Sequence, residues 1–176
     1  MALRKTGMIF FVLTVWVLVG ILPCPMAWAA RPDSAPLVNG FVYFAGASEF
    51  CLTARARQFP GDLDAHELGR SILATLLAGP ADPGLVPIFP EAIQVRALFI
   101  LDDGHAWVDL AIPEGSIPGM DTGKEFLAVY AIVNSLTVNI PGIKQVKILV
   151  NGSDTATLGG HVSLEYFYKT NMLIVK

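Results

Sequence analysis

The sequence predicts an α/β (α+β) domain, a two-layer sandwich with two helices packed on one face of a mixed sheet. Two stretches carry apolar residues at helical spacing, and runs of alternating apolar and polar residues lie between and around them. Hydrophobic residues make up 53% of the chain and charged residues 15%, a balance typical of an ordered core. Since two helices cannot cover both faces of a sheet of four or more strands, we expect one face to remain open to solvent or a partner.

The N-terminal residues have the pattern of a secretory signal peptide. Arg4 and Lys5 provide the positively charged end, and Met8–Leu22 is uncharged and mostly apolar. Ala27-Trp28-Ala29 places small residues at the two positions that a signal peptidase reads. The alternative is an uncleaved signal anchor, although the apolar run is short for a membrane-spanning helix.

These signals divide the chain into a signal peptide at 1–29, a linker at 30–37 and one domain at 38–176. We therefore expect an exported protein of the periplasm or extracytoplasmic envelope, with cleavage after Ala29. The sequence leaves open whether the leader is cleaved, lipidated or kept as an anchor.

The two cysteines give little support to a covalent anchor or an internal disulfide. Cys24 follows the apolar run, as a lipidated cysteine does, but Pro23 stands where lipoproteins carry a small residue. Cleavage after Ala29 leaves Cys51 as a single cysteine, which cannot form an internal disulfide. We expect Cys51 to be buried or available for intermolecular pairing, and burial is the commoner outcome.

The first half of the domain is predicted to hold one strand and one helix. Val38–Ala45 is rich in β-prone residues and is assigned as a strand, whereas residues 46–61 are mixed in character and assigned as irregular. The helix begins after Asp64, with Glu67 completing a capping box, and stops at Gly79. Its apolar stripe consists of Leu68, Ile72, Leu73, Leu76 and Leu77.

A hairpin and a second helix follow. Ile93–Leu101 and Ala106–Leu110 alternate as two strands, and the Asp103-Gly104 step between them suits a tight turn. The helix is predicted over Gly123–Val138, with a capping box formed by Thr122 and Glu125. Its buried stripe consists of Phe126, Val129, Tyr130, Val133 and Leu136.

The C-terminal part reads as one strand and two β-prone runs. Val146, Ile148 and Val150 alternate with less apolar neighbours, and Asn151-Gly152 closes this strand. Residues 162–168 and 172–175 are candidates for terminal strands.

Charge excludes nucleic acid as a partner. All 15 acidic residues but only 10 of the 12 basic residues follow position 30, so the mature part carries a formal charge of −5. No cluster of lysine and arginine interrupts this acidic background, and nucleic-acid binding needs several phosphate-neutralising bases. We expect membrane contact only if the leader is uncleaved or lipidated.

Several segments, in this order, resemble the GerMN domain, which is named from a spore germination and sporulation protein. The match covers residues 38–168. The segments that carry it are Leu76-Leu77-Ala78-Gly79-Pro80 with Gly84-Leu85, Val108-Asp109-Leu110, Gly123 with Glu125, Tyr130 to Thr137 including Asn134, Val146 to Gly152, and Gly159-Gly160-His161.

The resemblance implies a small α/β sandwich similar to the ring-building modules of bacterial secretion machines. It implies export or lipid anchoring and no enzymatic activity. The chain departs from the family in having one copy of the domain where two are common, and in its Leu164–Lys169 segment. Nothing in the sequence ties it to spores.

Candidate catalytic groups lack the spacing that chemistry needs. The three histidines (His66, His105 and His161) show no metal-ligand pattern. We expect His66 and His105 to be solvated, and His161 to bond backbone rather than a ligand. We expect Asp109 to have a structural role, capping a nearby helix N-terminus, rather than to act as a general base. We expect Asp102 and Asp103 to serve the turn. We predict no catalytic residue, metal or cofactor.

Two side-chain groups are candidates for other roles. Asn134 lies on an otherwise apolar helix and is expected to bond neighbouring backbone or a buried polar group. Tyr166, Phe167 and Tyr168 are candidates for core packing or for an aromatic contact surface.

The favoured hypothesis is a non-catalytic envelope module that works by protein–protein association, including self-association. The alternative is a module that binds cell-wall glycan (peptidoglycan) or a small ligand. A wall hydrolase acting through Asp109 or His161 is a remote third. The sequence does not identify the partner or the oligomeric state.

Overall fold

The structure is a computed structural model, and it describes residues 35–47, 50–114, 120–154 and 157–176. These residues belong to one compact unit that begins at Ala35. The predicted signal peptide, Cys24 and the cleavage site after Ala29 lie outside the described residues, as do residues 30–34 of the predicted linker. No helix in the described ranges has the length and apolarity that crossing a lipid bilayer requires.

The described residues form six strands, two α-helices and a short 3-10 helix. In chain order they are β1 (Leu37–Gly46), β2 (Leu52–Pro60), α1 (Ala65–Ala78), β3 (Leu85–Val86), β4 (Gln94–Ile100), β5 (His105–Ala111), α2 (Thr122–Asn139), β6 (Gln145–Val150) and the 3-10 helix Met172–Ile174. The α+β class predicted from the sequence is confirmed.

The strands form two three-stranded sheets rather than the single sheet that we expected. Sheet A has the order β2-β1-β3 and is antiparallel. Sheet B has the order β4-β5-β6, in which β4 and β5 are antiparallel and β5 and β6 are parallel. Sheet B is the predicted mixed sheet, because α1 packs on β4, α2 packs on β6, and the two helices contact each other. Sheet A is a second sheet that we did not predict, and both helices also contact its strand β1.

The segment that we predicted to be irregular contains strand β2. Within residues 46–61, apolar and polar residues alternate from Leu52 to Arg57, but the apolar members after Leu52 are alanines, which are depleted in strands, so the strand signal is weak. Pairing with β1 over nine residue pairs, from Leu37 with Pro60 to Ala45 with Leu52, determines the extended conformation. Propensity alone could not show this partner.

The two candidate terminal strands at residues 162–168 and 172–175 are wrong. Only isolated bridges occur there: Thr157 with Ser163, Val146 with Tyr168, and Leu52 with Val175. Residues 172–174 form the 3-10 helix instead. Their β-prone side chains pack partly against the core, as Tyr168, Ile174 and Val175 do, without a continuous neighbouring strand.

Helix α1 begins and ends as its sequence predicts. The Asp64 carboxylate accepts a hydrogen bond from the Glu67 N–H at 2.8 Å, and the Glu67 carboxylate accepts one from the Asp64 N–H at 3.3 Å. Gly79, with φ of 83°, ends the helix and donates its N–H to the Leu76 carbonyl. The capping box therefore determines where α1 starts.

Helix α2 starts differently from the prediction. Asp121 is the N-cap, and its side chain accepts a hydrogen bond from the Lys124 N–H at 2.9 Å. Thr122 is the first residue of the helix, so it does not form a capping box with Glu125. The Glu125 side chain points into the interior, where it is fully buried.

The core lies where the two helices meet the inner faces of the sheets. It includes Ile72, Leu73 and Leu76 of α1, Ile132 and Leu136 of α2, Val108, Leu110 and Ile148 of sheet B, and Val42 and Phe44 of sheet A, all of them buried. Leu164, in the C-terminal segment, is also fully buried and fastens this segment to the domain.

We predict that Asp64→Ala lowers the free energy of unfolding by about 1 kcal/mol, because it removes the acceptor of the capping box. Chemical denaturation of the two proteins would measure the difference. Asp62→Ala, at an exposed turn position two residues earlier, is the matched control and should change stability by less than about 0.5 kcal/mol. Equal losses in both variants would show that the cap does not determine the start of α1.

Candidate functional site

The outer face of sheet B carries one exposed aromatic side chain, Phe99, and two half-buried ones, Trp107 and Phe167. The register places Phe99 of β4 opposite Trp107 of β5, and Trp107 beside Lys147 of β6. Neighbouring residues in each strand, such as Leu98 and Val108, point inward and are buried. Phe99 is 55% exposed. We call the surface formed by Phe99, Trp107 and Phe167 the aromatic face.

Phe167 joins this face from the C-terminal segment. Its ring contacts the Trp107 ring edge-to-face, with the centroids 5.1 Å apart, and contacts the His105 imidazole at 4.7 Å. Edge-to-face contacts of this kind stabilise aromatic pairs beyond the area that they bury. The rings of His105, Trp107 and Phe167 therefore form one cluster on the sheet.

Ion pairs neutralise the basic groups around the aromatic face. Lys147 Nζ lies 2.6 Å from the Asp154 carboxylate, and the lysine side chain is only 13% exposed. Arg96 Nη1 donates to Asp109 Oδ2 at 2.9 Å. Such a face offers apolar rings and satisfied polar groups, so the association that it favours is apolar rather than electrostatic.

The predicted contact residues Tyr166, Phe167 and Tyr168 separate onto different surfaces. Tyr166 is 66% exposed, and Phe167 lies on the aromatic face. Tyr168 faces the other way, where its ring packs edge-to-face on Tyr130 with the centroids 5.5 Å apart. Its backbone pairs with Val146 of β6. Tyr168 is thus part of the packing, while its two neighbours are open to contact.

Sequence reasoning did not identify Phe99 and Trp107 as members of the site. The signal was present, since both alternate with inward-facing residues in their strands. The sequence did not show that Phe167, which is distant in sequence, packs beside Trp107. A local pattern gives the face of a strand but not its neighbours.

Glu125 organises the loop that carries His161. Its carboxylate is 0% exposed and accepts hydrogen bonds from the N–H groups of Leu158 (2.9 Å), Gly159 (2.7 Å) and His161 (2.8 Å). His161 Nδ1 lies 3.1 Å from the same carboxylate. Burial raises the pKa of Glu125, but these donors together outweigh it and hold the pKa below its ordinary value.

Asp109 has a comparable role at the other end of sheet B. It is nearly buried, and its Oδ1 accepts the Gly152 N–H at 2.9 Å while Oδ2 binds Arg96. The carboxylate therefore holds the turn after β6 and does not cap a helix. Asp109 lies in structural hydrogen bonds, and the His161 imidazole contacts the buried Glu125 carboxylate, which is itself held by backbone N–H groups.

Asn134, which is fully buried, makes the backbone bonds that its position on α2 suggests. Its Oδ1 accepts the Asn171 N–H at 2.9 Å, and its Nδ2 donates to the Asn171 carbonyl at 2.9 Å. The side chain therefore fastens the C-terminal segment to the middle of the helix.

Glycines of the family pattern lie where the backbone has a positive φ or where another side chain comes too close for a Cβ atom. Gly152 and Gly160 have φ of 78° and 105°, in the region that favours glycine. A Cβ on Gly123 would lie 2.3 Å from the Phe50 ring. Gly79 and Pro80 line an open cavity of about 500 Å³ between the end of α1 and the start of α2.

His66 and His105 contact neighbouring protein groups, and Cys51 is partly covered by the fold. His66 is exposed, as expected, but its Nε2 bonds the Leu98 carbonyl at 2.8 Å. His105 is half-buried in the aromatic cluster rather than solvated, and its Nδ1 lies 2.8 Å from Asp103. Cys51 is half-buried. Within the described ranges, no three His, Cys, Asp or Glu side chains converge as metal ligands.

The sequence profile of one family matches residues 41–156, well over half of the chain. The description of this family is "Germane: Sporulation and spore germination". A search of curated protein sequences found no significant match.

Solved structures show the same fold at low sequence identity. A candidate lipoprotein of Clostridium perfringens is 24% identical with a TM-score of 0.54, over 80% of this chain and 91% of that chain. The tandem GerMN domains of the sporulation protein GerM from Bacillus subtilis are 18% identical with a TM-score of 0.62, over 86% of this chain and 51% of that one. The first GerMN domain of the same protein is 20% identical with a TM-score of 0.53, over 74% and 97%.

We predict that Glu125→Gln lowers the free energy of unfolding by about 1–3 kcal/mol at neutral pH, because an amide nitrogen would face backbone donors in place of a carboxylate oxygen. Chemical denaturation would measure this loss. Glu165→Gln, at an exposed position, is the control and should stay within about 0.5 kcal/mol of the unchanged protein.

The same carboxylate predicts a pH dependence. Because the pKa of Glu125 is lower in the folded chain than in the unfolded one, its contribution is complete above the unfolded glutamate pKa of about 4.3 and is lost as the pH falls through the folded value. The stability difference between the unchanged protein and Glu125→Gln should therefore shrink in acid. A difference that stays constant down to the acid unfolding of both proteins would contradict this account.

Proposed function

Because this chain belongs to the Germane family of sporulation and spore germination proteins, we propose that it is a non-catalytic module of the cell envelope that acts by protein–protein association through the aromatic face. The observation that carries the proposal is the cluster of Phe99, Trp107 and Phe167 on a sheet face that no described segment covers completely. Large aromatic side chains are enriched at protein interfaces.

The surroundings of the aromatic face support a protein partner. The nearby bases Arg96 and Lys147 are already paired with carboxylates, so a partner is not required to bring charges of its own. An apolar centre with a polar rim is the usual anatomy of a protein interface.

The non-catalytic part of the proposal rests on what the polar groups do. Asp109 and the backbone of His161 are engaged in hydrogen bonds that hold turns, as described above. The open cavity near Pro80 is lined mainly by apolar and proline residues, with Glu91 and Lys124 among its charged lining residues. We infer that the domain works by contact and not by turnover.

The likeness to a candidate lipoprotein and to GerM indicates an extracytoplasmic protein. We propose that residues 1–29 direct export and that cleavage follows Ala29. This places the described domain outside the cytoplasmic membrane, where its partners are other envelope proteins or a second copy of itself.

A second function, binding of a wall glycan, uses the same face. It is favoured by Trp107, a half-buried indole on the sheet face beside Lys147 and near Gln145 in the register. Sugars bind by stacking on aromatic rings with polar groups at the edge. Sedimentation of the domain with purified peptidoglycan separates the two functions, because a protein-only interface gives no pelleting.

We predict that Phe99→Ser weakens association with the protein partner at least about tenfold, because it removes the most exposed ring of the aromatic face without opening a core cavity. The chain from Ala30 onward, linked to a solid support, would be used to capture proteins from envelope extract, and sedimentation velocity would measure self-association. Leu173→Ser, which removes a side chain that is 97% exposed elsewhere, is the control.

Trp107 provides a direct readout of the same contact, since it is the single tryptophan after position 30. Its emission should shift to shorter wavelength when a captured partner, or a second copy at high concentration, covers the face. A strictly monomeric chain that captures no protein, or captures the same proteins in all variants, would overturn the proposed function.

A further inference from the structure

Most strand edges in the described ranges are covered by another part of the chain. The edge of β1 that faces α2 gives the Tyr43 N–H to Ser135 Oγ at 3.1 Å. Further along, the Asn139 side chain accepts the Phe41 N–H at 2.8 Å and donates to the Phe41 carbonyl at 2.7 Å. A helix thus occupies the place of a neighbouring strand.

Both edges of sheet B also carry a contact from another part of the chain. His66 of α1 bonds the Leu98 carbonyl of β4. On the other side, Val146 of β6 exchanges two backbone hydrogen bonds of 2.8 Å with Tyr168. These contacts limit the addition of a foreign strand at either edge.

The outer edge of β2 differs. It meets backbone only at Leu52, whose carbonyl accepts the Lys176 N–H at 2.9 Å. Because outward-pointing backbone groups recur at every second residue of a strand, Ala54, Ala56 and Gln58 point outward as Leu52 does. Among the residues that the structure describes, none offers a backbone partner to these three.

Two arginines stand at this edge. Arg55 Nη1 donates to the Ala54 carbonyl at 3.3 Å, and Arg57 Nη1 donates to the Ala56 carbonyl at 3.0 Å. Asp82 is the carboxylate that both approach, with Arg57 Nη2 at 2.7 Å and Arg55 Nε at 3.6 Å. Two guanidinium groups share one carboxylate, so the edge keeps an excess of positive charge within an acidic domain.

We propose that the outer edge of β2, residues 53–60, is a strand-addition site for an extended peptide with carboxylates on alternate residues. The incoming backbone would pair with the outward N–H and C=O groups of Ala54, Ala56 and Gln58, which have no backbone partner among the described residues. Carboxylates two residues apart lie about 7 Å apart on one face of a strand, a spacing that matches Arg55 and Arg57.

Charge decides which strands can enter. When an acidic strand binds, Arg55 and Arg57 lose their hydrogen bonds to the Ala54 and Ala56 carbonyls and gain ion pairs with the carboxylates of the incoming strand. A neutral strand gives no such exchange, and a basic strand is repelled. The β2 edge of a second copy brings its own two arginines, so pairing of two β2 edges is disfavoured.

Binding of a fluorescently labelled peptide of about eight alternating valine and glutamate residues, a usual strand length, would test the proposal. The protein is the chain from Ala30 onward, which contains the whole compact unit. The acidic peptide should bind at least about tenfold more tightly than matched peptides with glutamine or lysine in place of glutamate. Its affinity should fall as salt is added.

Two variants separate the parts of the site. Arg55→Gln with Arg57→Gln should weaken acidic-peptide binding at least about tenfold, whereas Arg70→Gln with Lys169→Gln changes the net charge equally and should have little effect. Ala56→Pro removes an outward N–H while both arginines stay, and it should also abolish binding. Circular dichroism checks that each variant is folded.

Absence of acidic-peptide binding, or equal binding of all three peptides, would overturn the proposal. If the unchanged protein binds no peptide and the Arg55→Gln, Arg57→Gln variant self-associates, the arginines serve only to prevent pairing of two β2 edges. The Phe99→Ser variant should keep its peptide affinity, so failure of the aromatic face and failure of the β2 edge are distinguishable.

Discussion

The structure depends on polar side chains that bind the backbone of segments remote in sequence. Three asparagines use both ends of their amide in the same way: Asn134 on Asn171, Asn139 on Phe41 and Asn151 on Ile112, with distances of 2.7–3.0 Å. Glu125 does so with its carboxylate. Each side chain supplies the donors or acceptors that a neighbouring strand would supply, and an unpaired buried backbone group would cost free energy.

This constraint explains how a C-terminal segment with few regular elements takes a defined place. Glu125 fixes the loop of Gly159 and His161, Asn134 fixes Asn171, and the buried Leu164 lies between them. As a result Phe167 lies on the aromatic face and Tyr168 lies at the edge of β6. The contact surface therefore depends on an acid and an amide of α2 that are remote from it in sequence.

The two surfaces that result differ in chemistry. The aromatic face has its charges neutralised by ion pairs and exposes rings, which suits an apolar protein contact. The β2 edge has little apolar side-chain area and exposes backbone groups beside Arg55 and Arg57, which suits an extended acidic segment. The two proposed sites lie on different sheets, the aromatic face on sheet B and the β2 edge on sheet A.

The sequence by itself determined the α+β class, both helices, the hairpin of β4 and β5, and strand β6. Local signals are sufficient there, since apolar spacing, the Asp64 cap, the Gly79 stop and the Asp103-Gly104 turn lie within each element. Only the tertiary structure decided that the strands divide into two sheets, that residues 52–60 form a strand, and that Asp121 rather than Thr122 caps α2. Those outcomes depend on partners remote in sequence: β1 makes β2 a strand, and the loop at Gly159 draws Glu125 inward from the capping position.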